Sequence, residues 1–90
     1  MLPNQIDGAK VLFYTDYGDY GYIRYTTGII FDEIHYFCIA QYHGNGEGYY
    51  LFKCNAKFEV ISDTLCDDID MCKRIVSQKG YNVIWHAVEA

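Results

Sequence analysis

The chain has 90 residues, which is enough for one domain, residues 1–90, and too few for two. Hydrophobic residues make up 51% of it and charged residues 21%, a balance that is typical of a globular protein and excludes a disordered one. The formal net charge is −5, with only seven Lys and Arg, which argues against nucleic acid or an anionic membrane as a partner, because both are bound by basic patches.

Aromatic residues are the unusual part of the composition. The chain contains ten Tyr, five Phe and one Trp. Aromatic side chains bury large areas at little cost in conformational entropy, so they suit the small core of a short domain. They also favour strands over helices, so the composition predicts a fold rich in β-structure.

A tandem Asp-Tyr-Gly at residues 16–21 separates the first two apolar runs, residues 10–16 and 20–27. Both runs have the alternating pattern of strands. Glycine in the first central position is typical of a type II′ turn. We therefore predict a hairpin that turns at Gly18-Asp19 and places Tyr17 opposite Tyr20. One face of its first strand is predicted to carry Val11, Phe13 and Thr15.

The third run, residues 29–42, is interrupted by Asp32-Glu33. It predicts a short strand at 29–31, a turn or bulge at the two acidic residues, and a long strand at 34–42. A Gly-rich loop then leads to a strand at 49–55. The register that aligns the apolar faces of these two long strands pairs Tyr42 with Tyr50 and Cys38 with Cys54. A slip by one residue would set each apolar face against a mixed one.

A fifth strand is predicted at residues 57–62, with Phe58 and Val60 pointing inward. The period then changes to that of a helix, since apolar residues recur at i, i+4, i+7 and i+11. We predict a helix over about residues 65–79, because the cap residues 62–64 precede it and Gly80 suits its end. The face it buries is predicted to carry Leu65, Ile69, Cys72 and Val76.

The last run, residues 81–88, alternates again and predicts a closing strand whose inner face carries Tyr81, Val83 and Trp85. The order of elements is several strands, one helix and one strand. It indicates an α+β fold, a strongly bent antiparallel sheet or small, partly open barrel of about five to six strands with the helix on one face or closing one end.

The C-terminal half contains Tyr49-Tyr50-Leu51-Phe52-x-Cys54, then Glu59-Val60-Ile61-x-Asp63-Thr64, an acidic-start helix and Trp85. This arrangement resembles a pattern in short uncharacterised bacterial proteins and covers roughly residues 48–85. The resemblance implies a small intracellular bacterial protein. It supplies no activity and no site residue.

The first eight residues lack the basic start and apolar stretch of a signal peptide, and no run approaches the roughly 20 apolar residues of a membrane span. These features predict a cytoplasmic protein. Reduced, buried thiols are then expected, and the absence of a C-x-x-C spacing argues against structural zinc. The apolar surroundings of Cys38 should raise its pKa, which disfavours a catalytic thiol. The four cysteines are Cys38, Cys54, Cys66 and Cys72.

The polar residues do not form a convincing catalytic or metal-binding pattern. Asp16 and Asp19 lie in a turn without the further oxygen ligands of a calcium loop. His35 and His43 flank one strand and stand more than about 20 Å apart by strand rise, so they cannot share a metal unless that strand bends sharply. Only the tertiary fold could bring His86 close to His35 or His43. We therefore predict no catalytic residue, no metal and no cofactor, and a protein that is not an enzyme.

The tyrosines carry the functional prediction, because ten cannot all fit in so small a core. Exposed tyrosines favour protein interfaces. We predict a non-catalytic interaction module for a protein partner, preferably a basic one, and an immunity-type inhibitor of a toxin is one concrete form of such a module. Self-association through exposed strand edges is also open. The alternative is a small-ligand or carbohydrate-binding domain with stacked tyrosines, and a third interpretation makes the tyrosines only the walls of the sheet. The predicted binding residues are Tyr17, Asp19, Tyr20, Tyr22, Tyr42 and Tyr49.

Overall fold

The computed structural model describes residues 5–24, 30–42 and 48–88, with the backbone alone at residues 30 and 31. Within these ranges the chain forms eight strands and one helix. They are β1 (Gln5–Ile6), β2 (Ala9–Thr15), β3 (Tyr22–Arg24), β4 (Ile30–Glu33), β5 (Tyr36–Tyr42), β6 (Tyr49–Cys54), β7 (Val60–Cys66), α1 (Ile69–Gln78) and β8 (Trp85–Ala87). Part of the strand predicted at 20–27 and the Gly-rich loop lie outside the described residues.

Six strands form one curled antiparallel sheet, and five of them follow the order β1-β2-β5-β6-β7. Strand β8 also pairs with β2. Residues 13 and 14 of β2 pair with β5 on one side and with β8 on the other. Strands β8 and β1 therefore lie along the same edge of β2, at different positions. Strands β3 and β4 form a separate two-stranded ribbon. The predicted α+β fold with a bent antiparallel sheet and one helix is therefore confirmed.

The predicted hairpin at Gly18-Asp19 is wrong. Strand β2 pairs with β1, β5 and β8, and β3 pairs with β4, so the strands before and after the tandem Asp-Tyr-Gly are not partners. Gly18 does not have the positive φ that a type II′ turn needs at this position. The tight turn lies earlier, where Asp7 and Gly8 have φ of 53° and 79°, and it joins β1 to β2. Positive φ at both central residues is typical of a type I′ turn, and Asp-Gly is a preferred pair for it.

A β-bulge at Leu12 breaks the alternation predicted for β2. Val11 pairs with Ala40, but Phe13 pairs with Ile39, so one residue of β2 is left over. Val11 consequently packs with the far-side core, on the sheet face away from the helix, while Phe13 packs with the helix-side core. The prediction that these two side chains share a face is wrong for this reason.

The register between β5 and β6 differs from the predicted one by two residues. Cys38 pairs with Phe52, and Ala40 pairs with Tyr50. Because a shift of two keeps every side chain on its face, the predicted apolar face is confirmed although its pairing is wrong. Cys38 and Cys54 lie diagonally across the strands, and both belong to the far-side core.

The break between β4 and β5 falls at Ile34-His35 and not at Asp32-Glu33, which belong to β4. Similarly, β7 begins at Val60 and continues to Cys66, so the strand predicted at 57–62 is displaced. The residues before it form a turn in which Phe58 has a φ of 61°. The end of β7 occupies positions that were predicted as helix.

The helix begins four residues later than the periodicity suggests. Asp68 is its N-cap and accepts from the backbone N–H of Met71 at 2.7 Å, while Gly80, with a φ of 92°, follows its last turn. Leu65 pairs with Tyr50 in the sheet and is 59% exposed, so it is not part of the helical face. The remaining face is confirmed, since Cys72 and Val76 are buried with Ile69 packed beside them.

The two faces of the sheet carry two distinct cores. The helix-side core also includes Tyr81, Val83 and Trp85, which confirms the predicted inner face of the last run, although only residues 85–87 form β8. The outward-facing Ile84 is 70% exposed. In the part of the chain that the structure describes, no helix is both long and apolar enough to cross a membrane.

Candidate functional site

The tandem Asp-Tyr-Gly runs beside the corner between β4 and β5. The backbone N–H of Gly18 donates to the carbonyl of His35 at 3.0 Å, and that of Tyr20 donates to the carbonyl of Ile34 at 3.0 Å. In return, the N–H of Ile34 donates to the carbonyl of Gly21 at 2.8 Å. These bonds fix a segment that belongs to neither sheet, so the tyrosines on it have defined positions.

Tyr17 is the most exposed aromatic residue of this segment, at 60%. Its ring stacks on the imidazole of His35, with centroids 4.4 Å apart and planes 7° apart, and meets Tyr36 edge-on at 5.6 Å. Tyr36 in turn stacks on Phe58 at 4.2 Å. The exposed ring is thus the outer end of an aromatic row that begins in the far-side core.

His35 is held at both ring nitrogens. Nδ1 donates to the carbonyl of Gly18 at 2.6 Å, and Nε2 lies 3.1 Å from Oε2 of Glu33. The Tyr17 hydroxyl also lies 3.5 Å from Nε2, so the same ring nitrogen faces both Tyr17 and Glu33. The imidazole therefore gives Tyr17 a fixed support and joins it to an exposed carboxylate.

Tyr22 extends this arrangement along the ribbon. It is the cross-strand partner of Glu33 and is 46% exposed. Arg24 donates from Nη2 to the Tyr22 hydroxyl at 2.6 Å, and its guanidinium lies 4.8 Å from the ring centroid. We call the continuous patch formed by Tyr17, Tyr22, Glu33 and His35 the Tyr17 surface.

Tyr20 faces the opposite way from Tyr17. Its ring packs on Phe37 at 4.8 Å and on Tyr81 at 5.4 Å, within the helix-side core. Its hydroxyl donates to the carbonyl of Asp16 at 3.0 Å. Tyr20 is therefore a half-buried packing residue, while Asp19 beside it is exposed to solvent.

Tyr42 and Tyr49 lie away from the Tyr17 surface, at the end of β5 and the start of β6. Tyr42 packs on the far-side core and Tyr49 on the helix-side core, so the two rings are on opposite faces of the sheet. Of the six predicted binding residues, the structure thus joins Tyr17 and Tyr22 through two residues that the prediction did not include, His35 and Glu33. The sequence carries no local signal for this junction, because it depends on the pairing of β3 with β4 and on the backbone hydrogen bonds of residues 18–21.

A cleft of about 430 Å³ opens beside His35 and Glu33. Its organising residue is Asn55, which is only 7% exposed. The Asn55 amide donates to Asp32 at 2.8 Å and to Glu59 at 2.9 Å, and its oxygen accepts from the N–H groups of Lys57 and Glu59. The hydrogen bond from Asn55, followed by the one from the Glu33 N–H, lowers the pKa of Asp32 below its ordinary value of 3.8.

The other titratable candidates are accounted for by local contacts. His86 lies 2.9 Å from Asp16 and packs on Tyr14, with ring centroids 5.2 Å apart. His43 lies outside the described residues. Across residues 5–24, 30–42 and 48–88, no group of three or more His, Cys, Asp or Glu side chains is arranged to hold a metal ion.

The four cysteines are buried free thiols. The neighbouring Cys54 thiol and burial raise the pKa of Cys38, in the predicted direction, and burial with the Cys66 thiol raises that of Cys72. A raised pKa leaves a thiol protonated and poorly nucleophilic at neutral pH. These cysteines therefore serve packing, one pair on each face of the sheet.

Comparison with known proteins adds no family to this description: no protein-family model, no curated protein and no solved structure matches the chain.

Proposed function

We propose that this protein is a non-catalytic interaction module that binds a protein partner through the Tyr17 surface. The observation that carries the proposal is the state of Tyr17, which is 60% exposed but is stacked on His35 at 4.4 Å. An exposed ring that is already held in place loses little conformational freedom on binding. Rigid aromatic anchors of this kind dominate the energetics of many protein interfaces.

The charge around the surface indicates the chemistry of the partner. Asp16, Asp19 and Glu33 are all exposed, and the whole chain carries a formal charge of −5. Two exposed cations lie nearby: Arg24, which is engaged with Tyr22, and Lys57, which lines the cleft beside Glu33 and His35. Complementary charge speeds association and selects among partners, so the preferred partner is a basic protein.

A second candidate function is the binding of a small ligand or carbohydrate. The cleft of about 430 Å³ supports it, because His35 and Glu33 belong both to the cleft and to the Tyr17 surface. Small-molecule sites are concave and have a few well-placed polar groups. Such a ligand would stack on Tyr17 and extend toward Asn55.

A pull-down that compares variants tests the proposal. The tagged protein, the double variant Tyr17→Ala/Tyr22→Ala and the control Met71→Ala should be incubated with lysate of the source organism. Met71 is an exposed apolar residue of α1, which packs on the opposite face of the sheet from the Tyr36 and Phe58 rings behind Tyr17, so it controls for loss of an exposed apolar side chain. We expect the wild type and the control to recover the same stoichiometric basic protein and the double variant to recover about tenfold less.

Equal recovery by all three proteins would contradict the proposal. If no protein is recovered, a metabolite and glycan library should be screened by melting temperature. A ligand that raises the wild-type melting temperature but not that of the double variant would replace the first candidate function with the second.

A further inference from the structure

A second aromatic surface lies at the other end of β5. Tyr42 meets Tyr50 edge-on, with centroids 5.0 Å apart and planes at 85°. Tyr50 is the cross-strand partner of Leu65, which is 59% exposed. Asp63, two residues before Leu65, is exposed on the same face. We call the patch formed by Tyr42, Tyr50, Leu65, Asp63 and the turn residue Asp7 the Tyr42 surface.

Two carboxylates lie near Tyr42. Its hydroxyl donates to Oδ2 of Asp7 at 3.5 Å. Partial burial, followed by the charges of Asp7 and Asp63, raises the pKa of this hydroxyl. Among the described residues, neither carboxylate forms an ion pair with a Lys or Arg. The Tyr42 surface is therefore a partly apolar patch with two carboxylates near an aromatic ring.

We infer that the Tyr42 surface binds an arginine side chain of a protein partner. A guanidinium can stack on a tyrosine face and donate from its fork to neighbouring carboxylates, a combination that the compact ammonium of lysine does not match. The aromatic part of this chemistry occurs within this chain, where the guanidinium of Arg24 lies 4.8 Å from the Tyr22 ring and donates to its hydroxyl. Leu65 supplies an apolar wall for the arginine stem.

The inference is independent of the proposed function. Tyr36, which supports Tyr17, is the first residue of β5, and Tyr42 is the last. Their Cα atoms are separated by six residues of strand, or about 20 Å. A single side chain of a partner therefore cannot reach both surfaces. Binding at the Tyr17 surface and binding at the Tyr42 surface can be tested, and disproved, separately.

Titration of the isotopically labelled protein with an N-acetylated, amidated tri-arginine peptide tests the inference, with NMR as the readout. We expect shifts of the amide signals of Tyr42, Tyr50 and Leu65 that weaken as salt is added. A tri-citrulline peptide, which keeps the shape but not the charge, should cause no shift. The double variant Asp7→Asn/Asp63→Asn should bind tri-arginine roughly fivefold more weakly.

The control is Asp19→Asn/Asp70→Asn, which makes the same change in net charge at two exposed positions outside the Tyr42 surface. It should bind the peptide as the wild type does, apart from a small loss of long-range attraction. If both double variants lose the same affinity for tri-arginine, the inference is overturned, because the loss would then follow from the net charge and not from the position of Asp7 and Asp63. It is also overturned if the shifts map to the Tyr17 surface, if tri-citrulline binds equally, or if no shift appears in the millimolar range.

Discussion

Replacing Asn55 by alanine should strongly destabilise the fold, although the residue lies in a turn. The Asn55 side chain makes four hydrogen bonds, of 2.8, 2.9, 2.9 and 3.0 Å, to Asp32, Glu59 and the backbone of residues 57 and 59. They hold the turn in which Phe58 adopts a φ of 61°, a conformation that costs a non-glycine residue free energy. Alanine removes all four bonds and leaves two backbone N–H groups without their acceptor.

The expected loss follows from these contacts. Two lost backbone partners cost about 1 kcal/mol each, and two bonds to partly solvated carboxylates together contribute about another 1 kcal/mol. We therefore expect the free energy of unfolding to fall by about 3 kcal/mol. A chain of 90 residues has a total of about 5–13 kcal/mol, so the change is a large fraction of the stability.

Urea denaturation followed by circular dichroism measures this change, provided that the slope of the transition stays constant. Asn82→Ala is the matched control, because Asn82 is exposed and forms no side-chain hydrogen bond within the described residues. It should change the free energy of unfolding by less than about 0.5 kcal/mol. If the free energy of unfolding of Asn55→Ala lies within that same margin of the wild-type value, the turn does not depend on the hydrogen bonds of Asn55.

Three further predictions concern other parts of the fold. Because the pKa of Asp32 is lowered in the folded state, its carboxylate stabilises the protein above its ordinary pKa of 3.8 and loses that effect as pH falls through the folded value. Asp32→Asn should therefore lower stability at neutral pH and flatten its decline below about pH 4, and an unchanged acid profile would contradict this. Gly18→Ala should lower the free energy of unfolding by about 1–3 kcal/mol, because the added Cβ would lie 2.5 Å from the Tyr20 ring. In a Tyr20→Ala background, the same substitution should change the free energy of unfolding very little. An equal loss in both backgrounds would show that the Tyr20 ring is not the cause. Ellman's reagent should find no reactive thiol in the native protein and four in denaturant, and a total of two would indicate a disulfide.

Sequence reasoning succeeded where one face of an element had to be apolar. The face shared by Cys38 on β5 and Phe52 on β6 could be predicted because side chains alternate along a strand. The register could not, because pairing Cys38 with Phe52 or with Cys54 preserves the same faces. The difference depends on how the strands twist and where their loops close, which no local pattern records.

The errors occur where distant partners decide the structure. Strand β2 pairs with β5 and β8, far along the chain, so its nearest strand in sequence is not its neighbour. Tyr20 turns inward because Phe37 and Tyr81 surround it. Leu65 has a helical spacing from Ile69 but is held in the sheet by Tyr50. In each case tertiary contacts override a local preference.

The candidate site was partly accessible from the sequence. An excess of tyrosines predicts that some are exposed, and Tyr17 and Tyr22 are. The sequence does not show that His35 stacks on the Tyr17 ring. It also does not show that Glu33 of β4 is the cross-strand partner of Tyr22 in β3. That junction exists only because residues 18–21 are bonded to the corner at residues 34 and 35.

The ribbon of β3 and β4 lies between β2 and β5 in the chain but outside the six-stranded sheet that those two strands join. Exchange of its outward residues would therefore leave the main ladder of the sheet intact. The six-stranded sheet serves as a rigid scaffold, and the ribbon presents side chains to solvent, as the binding loops of antibody domains do. The ribbon is accordingly the natural place to randomise residues in a library that seeks new binding specificities on this small domain.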